Sequence, residues 1–394
     1  TLTLNGLEEA EYDINPTLFE GKLDKVDNNT YRVKDPFDED VTLRGATVHK
    51  IYGANNLNGT PKGHVKVHVF ATQHKDESRK NIAVKYPKHP VQNDKQHIDE
   101  TLDDYLGRLS AIYTNETAPA GLVTAISAAI SANGTYSTTE SEADKTALDN
   151  AIAAMNTELG KLYDMEAVYG GGNLAEYVWG NGDPIDKDAT NLVEAARTEV
   201  IIEGCDYTSI KQVYGGGNAA STSGTYVVVR STYEIDEVFG GGNGADNYYL
   251  IEGDNTMWYE NPGANVGYHN YTYVDLNSGE GSQANPYKSV DNDDAMSADM
   301  RKAKYAYGSG IATTEIRGGT AHNVYGGSNK KGNISTTALS VYEEADDECP
   351  IEINETYGGG KDAAMDGEIE LSLDCVKDMD MIFGGAKNAP YRHL

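Results

Sequence analysis

The stretch IRGGTAHNVYGGSN at positions 316–329 repeats, almost letter for letter, the stretch LRGATVHKIYGANN at positions 43–56. Each copy ends in an apolar residue, an aromatic ring, two small residues and a short polar corner. Self-similarity at a distance is the signature of repeat architectures. The aromatic ring of this phrase, called the anchor below, occurs seven times, at Tyr52, Tyr169, Tyr214, Phe239, Tyr325, Tyr357 and Phe383.

The spacing of the anchors indicates the size of the repeating unit. Successive anchors lie 117, 45, 25, 86, 32 and 26 residues apart, which describes a unit of roughly 25 residues stretched by insertions. Alternating runs such as GHVKVHVF at 63–70 and GEIELSLDC at 367–375 have the period of a β-strand. One such unit cannot bury its apolar face alone, whereas stacked copies can. The sequence therefore predicts an all-β solenoid, a right-handed parallel β-helix with the seven anchors in one column.

The corners of this solenoid have a recurrent composition. Glycine is expected to supply the positive φ angles that sharp corners need, and asparagine tolerates turns and hydrogen-bonds at them. Stacked about 4.8 Å apart, equivalent asparagines would form a ladder. The residue four places after the anchor is asparagine in the first five copies, at Asn56, Asn173, Asn218, Asn243 and Asn329. It is Lys361 and Lys387 in the last two, where the ladder is not expected to continue.

The intervals divide the chain into five segments. Coils occupy 1–80, 164–245 and 315–394, an inserted segment with a helical module occupies 81–163, and an aromatic and acidic insertion occupies 246–314. The module shows helical periodicity in DETLDDYLGRLSAIY, from position 99, and in two later runs, so we expect two or three helices that pack on each other. The last repeat stops without a capping segment, which predicts further repeats or a capping partner at that end.

Composition limits the classes of function. The formal charge of −30 argues against nucleic acid, because binding phosphates needs clustered lysine and arginine. No run of about 18 apolar residues is present, so no segment is expected to span a membrane. The chain starts in a strand-like TLTLNG with no initiating methionine, a pattern that fits a mature or truncated exported protein.

The three cysteines are too few for a disulfide framework. Cys349 and Cys375 each lie eight residues before an anchor and should occupy the same position of adjacent coils. Side chains that project in parallel keep their Cβ atoms further apart than a disulfide prefers. Stacked free thiols are therefore the preferred interpretation of this pair.

The second insertion carries the densest aromatic cluster in the chain, among asparagine, aspartate and glycine. Aromatic faces beside amides and carboxylates are what a sugar ring needs for stacking and for its hydroxyl groups. Packing of the same rings onto the coil is the alternative. The candidate ligand-binding residues are Tyr248, Tyr249, Trp258, Tyr259, Tyr268, Tyr271 and Tyr273. Trp258 and Tyr259 precede Asn261, Pro262 and Gly263, which predict a turn near the surface. We therefore expect Trp258 and Tyr259 to stack together on one ligand.

The sequence signals for a metal site are less specific than those for the aromatic cluster. Asp291, Asp293 and Asp294 form an oxygen-rich turn that could hold Ca²⁺, as could positions 183–191, but neither has the spacing of a known calcium loop. A helix that starts at Asp293 explains the same residues. His64 and His68 lie about 13 Å apart on a strand, so we expect surface histidines instead of one metal site.

No sequence motif for catalysis is present. A lyase or hydrolase acting on polysaccharides needs only a few well-placed carboxylates, so an enzyme remains an alternative. The preferred function is binding and display without turnover, as an adhesin or glycan-binding scaffold. The third alternative is a structural spacer in a larger surface assembly.

The phrase [VI]-[YF]-G-G-G-N, followed by Gly-x-Val-x-Val strands and preceded in two copies by [LI]-R-G-[AG]-T, resembles the pectin-lyase-like β-helix repeats of exported surface proteins in gut Gram-negative anaerobes. The resemblance covers the coils and neither insertion. It implies a right-handed β-helix at the outer-membrane surface or outside the cell, adhesin-like or carbohydrate-associated, with a glycan or a host or bacterial surface protein as partner. It transfers no catalytic residue, and Lys361, Lys387 and the helical module depart from its pattern.

Overall fold

The computed structural model describes residues 48–61, 63–72, 96, 100–177, 197–205, 207–270, 272–291, 306–343, 349–365, 367–374, 376 and 378–390, and the backbone of three short strands nearer the N-terminus. Two seven-stranded sheets dominate it. Sheet I contains β1 (Leu2–Leu4), β5 (Val65–Val69), β7 (Thr198–Ile202), β9 (Thr225–Val229), β15 (Ile311–Ile316), β17 (Thr336–Tyr342) and β19 (Glu368–Asp374). Sheet II contains β4 (Lys50–Tyr52), β6 (Met165–Tyr169), β8 (Ser209–Tyr214), β10 (Glu234–Phe239), β16 (Thr320–Tyr325), β18 (Glu352–Tyr357) and β20 (Asp378–Phe383).

Every strand pair within these two sheets is parallel. From β4 onward the chain alternates between the sheets, and each strand pairs with the strand of the same sheet that precedes it by one circuit. A third row of single parallel bridges joins Tyr177, Thr222, Val266 and Ile334. Each circuit, called a coil below, therefore stacks on the one before it, an arrangement compatible with a parallel β-helix.

The apolar residues of both sheets meet between them. In β5 the burial alternates residue by residue, as the period-two pattern predicts, with Val65, Val67 and Val69 buried. Val67 and Val69 join a core with valines and isoleucines from later coils, including Ile235 and Val238 of β10. A continuous core of this kind explains why one coil is not stable alone.

The seven anchors form one column of rings along sheet II. Neighbouring ring centroids lie between 4.7 Å, for Tyr169 and Tyr214, and 5.2 Å, for Tyr325 and Tyr357, and the planes are within 11° of parallel. The stacking follows the register of the strands, since each anchor is paired with the next across sheet II. The shared phase of the repeated phrase therefore predicts this column correctly.

The asparagine ladder is also present. Each Nδ2 donates to the Oδ1 of the preceding coil, over 2.8–2.9 Å, from Asn329 through Asn243, Asn218 and Asn173 to Asn56. It ends at Asn329, as expected from the lysines that follow.

The glycines after the anchors have a different role from the expected one. None of them has φ in the left-handed region. A Cβ at Gly170, Gly215, Gly240 or Gly326 would instead lie 2.3–2.4 Å from the carbonyl oxygen of the equivalent glycine in the next coil. Glycine is needed here because the backbones of neighbouring coils approach too closely for any side chain, which is a contact that no local turn pattern reveals.

The expectation of stacked free thiols is wrong for Cys349, which forms a disulfide with Cys205, their Cα atoms 5.7 Å apart. Cys375 lies outside the described residues. Cys349 lies in the corner between β17 and β18, and its carbonyl accepts a hydrogen bond from Gly319 of the preceding coil, while Sγ lies 3.5 Å from the Thr232 carbonyl. This corner folds back over earlier coils, so the residue count to the anchor does not place its side chains.

Insertions interrupt the stack. The first contains three helices, α1 (Leu102–Ile112), α2 (Ala120–Thr139) and α3 (Glu142–Gly160), whose apolar residues form a core of their own. Thr101 and Ser141 cap α1 and α3 by accepting from the N–H three residues later. The second insertion contains two antiparallel hairpins, β11 (Tyr248–Glu252) with β12 (Asn255–Tyr259), and β13 (Thr272–Asp275) with β14 (Lys288–Asp291). A third hairpin joins β2 (Leu23–Lys25) and β3 (Tyr31–Val33).

Candidate functional site

The hairpin of β11 and β12 contains four of the predicted ligand-binding aromatics. Its register pairs Tyr248 with Tyr259 and Tyr249 with Trp258. Because side chains alternate across a strand, the two pairs lie on opposite faces of the hairpin. The four rings therefore form two surfaces with different surroundings.

One surface is open to solvent and is called the platform below. It consists of Tyr249 and Trp258, whose ring centroids lie 5.1 Å apart at an angle of 46°, and of Ile251 one place further along the same face. Tyr249 is 52% exposed and Ile251 69% exposed, while Trp258 is half-buried. Exposed Thr256, which is paired with Ile251, adds a hydroxyl to the same face.

The other surface packs inward. Tyr248 stacks on Tyr259 at 5.3 Å, and Tyr259 contacts Tyr287 at 5.6 Å. Burial raises the pKa of Tyr248 above its ordinary value, which fits this closer packing. The expectation that Trp258 and Tyr259 act together on one ligand is therefore corrected: neighbours on a strand face opposite ways, and the partner of Trp258 is Tyr249.

The base of the hairpin is fixed to the coils. Asn261 is buried and its Nδ2 donates to the carbonyls of Asn218 and Asp246, at 3.1 and 3.0 Å. Its Oδ1 accepts from the Gly263 N–H, which forms the turn that the sequence predicts. Lys331 of the neighbouring coil makes an ion pair with Glu260 at 2.7 Å. These contacts hold the platform in one position relative to the stack.

The remaining predicted aromatics do not join the platform. Tyr268 is buried, and its hydroxyl accepts a hydrogen bond from Ser335 at 2.9 Å, so it is a packing residue. Tyr273 is 51% exposed but lies on the second hairpin, opposite Val290. Tyr271 lies outside the described residues. Ile251 and Tyr287 are additions that sequence reasoning missed, although Ile251 follows Tyr249 with the period of two that marks a shared face.

No metal centre is assembled by the described part of the chain, where no three histidine, cysteine or carboxylate side chains converge. Asp291 ends β14 opposite Thr272, while Asp293, Asp294 and positions 183–191 lie outside the described residues. The two histidines of β5 contact different carboxylates, His64 that of Glu199 and His68 that of Glu203, each at 3.3 Å.

Within the described ranges, no helix combines the length and the apolar run that crossing a membrane requires. Comparisons with protein-family models, with curated proteins and with solved structures find no match to this chain.

Proposed function

We propose that the chain is a right-handed parallel β-helix of the pectin-lyase-like repeat type that acts as an adhesin or glycan-binding scaffold, without turnover. In this proposal it is exported to the cell surface or beyond. The observation that carries it is the platform: Tyr249 and Trp258 are side by side, solvent-accessible and anchored at their base. Aromatic residues of this kind supply a large contact area with little loss of conformational freedom.

The alternation along the hairpin supports a binding role for these rings. Tyr248 and Tyr259 already pack the hairpin onto its neighbour, so Tyr249 and Trp258 are not needed for that contact. An exposed apolar surface that the fold does not use is a common mark of an interaction site. A sugar ring would stack on the indole and phenol faces, and one of its hydroxyls would bond to the exposed Thr256 hydroxyl on the same face.

The test is a glycan array with the purified chain and the double variant Tyr249→Ala/Trp258→Ala. We expect binding to one class of glycan, lost in the double variant. Tyr273→Ala is the matched control, because Tyr273 is as exposed as Tyr249 but lies on the other hairpin; it should bind as the parent does. Unchanged binding by the folded double variant would reject the platform.

Product analysis on the bound glycan separates the other functions. New reducing ends or unsaturated sugars would show a hydrolase or a lyase and contradict the absence of turnover. No binding and no product would favour a structural spacer.

A further inference from the structure

The coil formed by β19 and β20 has a neighbouring coil on one side only. β19 is the terminal strand of sheet I and β20 that of sheet II, so no described strand pairs with their outer edges. Leu373, Ile382 and Phe383 are 46%, 40% and 42% exposed, whereas their register partners in the preceding coil are buried. A cavity of about 320 Å³ lies between the two strands, and Val376 and Met379 add apolar side chains to its lining. This surface is called the end face below.

The end face also has the glycine that close approach of a further backbone requires. A Cβ at Gly358 would lie 2.8 Å from the carbonyl oxygen of Gly384, the equivalent glycine of the end face. A Cβ at Gly384 would meet nothing within 4 Å. An extended backbone can therefore approach the end face as closely as the coils approach each other. Strand edges with unpaired N–H and C=O groups pair readily with such a backbone.

Ion pairs between neighbouring coils indicate which side chains this backbone should carry. Lys66 of β5 is the register partner of Glu199 in β7, and the two charges lie 3.3 Å apart. Arg230, directly after β9, lies 2.6 Å from Glu203, directly after β7. In β5 the basic residues alternate with valines, which are buried. A strand with alternating apolar and basic residues is thus held against the carboxylates of the next coil.

β19 presents carboxylates that have no such partner. Glu368, Glu370 and Asp374 are exposed and alternate with the apolar residues of the strand. Their register partners in β17 are threonine, alanine and tyrosine. None of the three carboxylates makes an ion pair with a described residue. Cations on a strand beside β19 would therefore meet three free carboxylates.

We propose that the end face binds a strand of a partner protein in which apolar residues alternate with lysine or arginine. The strand extends sheet I beside β19, and main-chain hydrogen bonds join the two edges. Its apolar side chains cover the cavity next to Leu373. Its basic side chains pair with the three carboxylates of β19, as those of β5 pair with glutamates inside the stack.

A second copy of the chain fits the end face less well. Two end faces would bring carboxylate against carboxylate, which is unfavourable for strands that lie side by side. The strand at the other end of sheet I, Leu2–Leu4, has no charged residue. The partner is therefore a different protein. The inference does not rest on the proposed glycan binding, because the platform lies on a separate hairpin.

Two end-blocked octapeptides serve as probes, Gly-Lys-Val-Lys-Val-Lys-Val-Phe and Gly-Glu-Val-Glu-Val-Glu-Val-Phe. They have the alternation of positions 63–70 and differ from each other only in charge. The full chain is labelled at the methionine methyls, because Met379 and Met381 line the cavity and Met257 lies in the platform hairpin. We expect the lysine peptide to shift the Met379 and Met381 signals saturably, without moving that of Met257. The glutamate peptide should bind roughly ten-fold more weakly or not at all. No shift at Met379 and Met381, or equal affinity for both peptides, would overturn the proposal.

The decisive variant is Glu368→Lys/Glu370→Lys, which reverses two exposed charges of β19. It should bind the lysine peptide roughly ten-fold more weakly than the parent and bind the glutamate peptide more tightly. Glu116→Lys/Asp149→Lys is the matched control, because it changes the net charge equally at exposed positions of the helical module. This control should bind both peptides as the parent does. Equal losses in the two double variants would show that the overall charge attracts the peptide, and would reject the end face.

Sedimentation velocity of the chain alone tests whether a second copy occupies the end face instead. We expect a monomer whose sedimentation coefficient does not rise with concentration. An oligomer that the lysine peptide dissociates would show that the end face binds another copy of the chain, which would contradict a different protein as the partner.

Discussion

Two sets of aromatic rings lie in the same chain and behave in opposite ways. The anchors of the column are stacked nearly parallel, and Tyr214, Phe239 and Tyr325 are fully buried. On the platform, Tyr249 is half-exposed and tilted against Trp258. Both sets are rich in tyrosine and both are flanked by glycine and asparagine, so composition does not separate them.

The two sets differ in burial because they differ in how often each ring recurs along the chain. An anchor returns at the same phase of every coil, so each anchor inside the stack is covered by the ring above and the ring below, whereas Phe383 at the end of the column is 42% exposed. A platform ring belongs to a single hairpin, and only the face that meets another segment is covered. The comparison teaches that repetition predicts burial, and that a ring outside the repeat is the better candidate for binding.

The largest expected effect is on the column. Tyr214→Ala should lower the free energy of unfolding by about 4 kcal/mol, because it empties a fully buried aromatic site. Urea denaturation followed by circular dichroism measures it. Tyr214→Phe keeps the ring and loses only the hydroxyl, which donates to Asn243 and accepts from Asn329, so about 1 kcal/mol is expected. A loss below roughly 1 kcal/mol for the alanine variant would contradict a structural role.

The second-largest loss of stability is expected for the asparagine ladder. Asn243→Ala removes the amide that donates to Asn218 and accepts from Asn329 and the Tyr214 hydroxyl. The buried partners left unsatisfied should reduce stability by about 2–3 kcal/mol. Asn173→Ala is the matched control on a more exposed rung, with a smaller expected loss. Equal losses at both positions would show that burial does not control the strength of the ladder.

Substitutions in the platform should change stability much less than substitutions in the column or in the ladder. Tyr249→Ala/Trp258→Ala should change the free energy of unfolding by less than about 1 kcal/mol, because the pair is solvent-facing and the inner pair of the hairpin is untouched. Thermal unfolding by calorimetry measures it. A loss of stability as large as that of Tyr214→Ala would show that these two rings are packing residues, as the anchors are.

The smallest effect concerns the attachment of the hairpin. Burial raises the pKa of Glu260, but the hydrogen bonds from Lys331 and from the Ser289 N–H lower it more, so the pKa lies below the ordinary 4.5. The stabilisation is therefore complete above pH 4.5 and is lost as the pH falls through the pKa of the folded state. Carboxyl NMR titration should give a midpoint below 4.5, and Lys331→Met should move it upward. A midpoint above 4.5 in the parent would contradict the stabilisation of the Glu260 carboxylate by Lys331 and the Ser289 N–H.

The sequence by itself determined the repeating unit, the strands, the ring column, the ladder with its end before Lys361, and the helical module. Each is encoded by a short period or by a phrase that recurs in phase, and stacking follows from that phase. The tertiary structure alone decided which face of the second insertion is open. It also decided the disulfide of Cys205 with Cys349 and the close coil contacts that require glycine. These depend on the approach of segments far apart in the chain, and exposure and distance of that kind leave no period in the sequence.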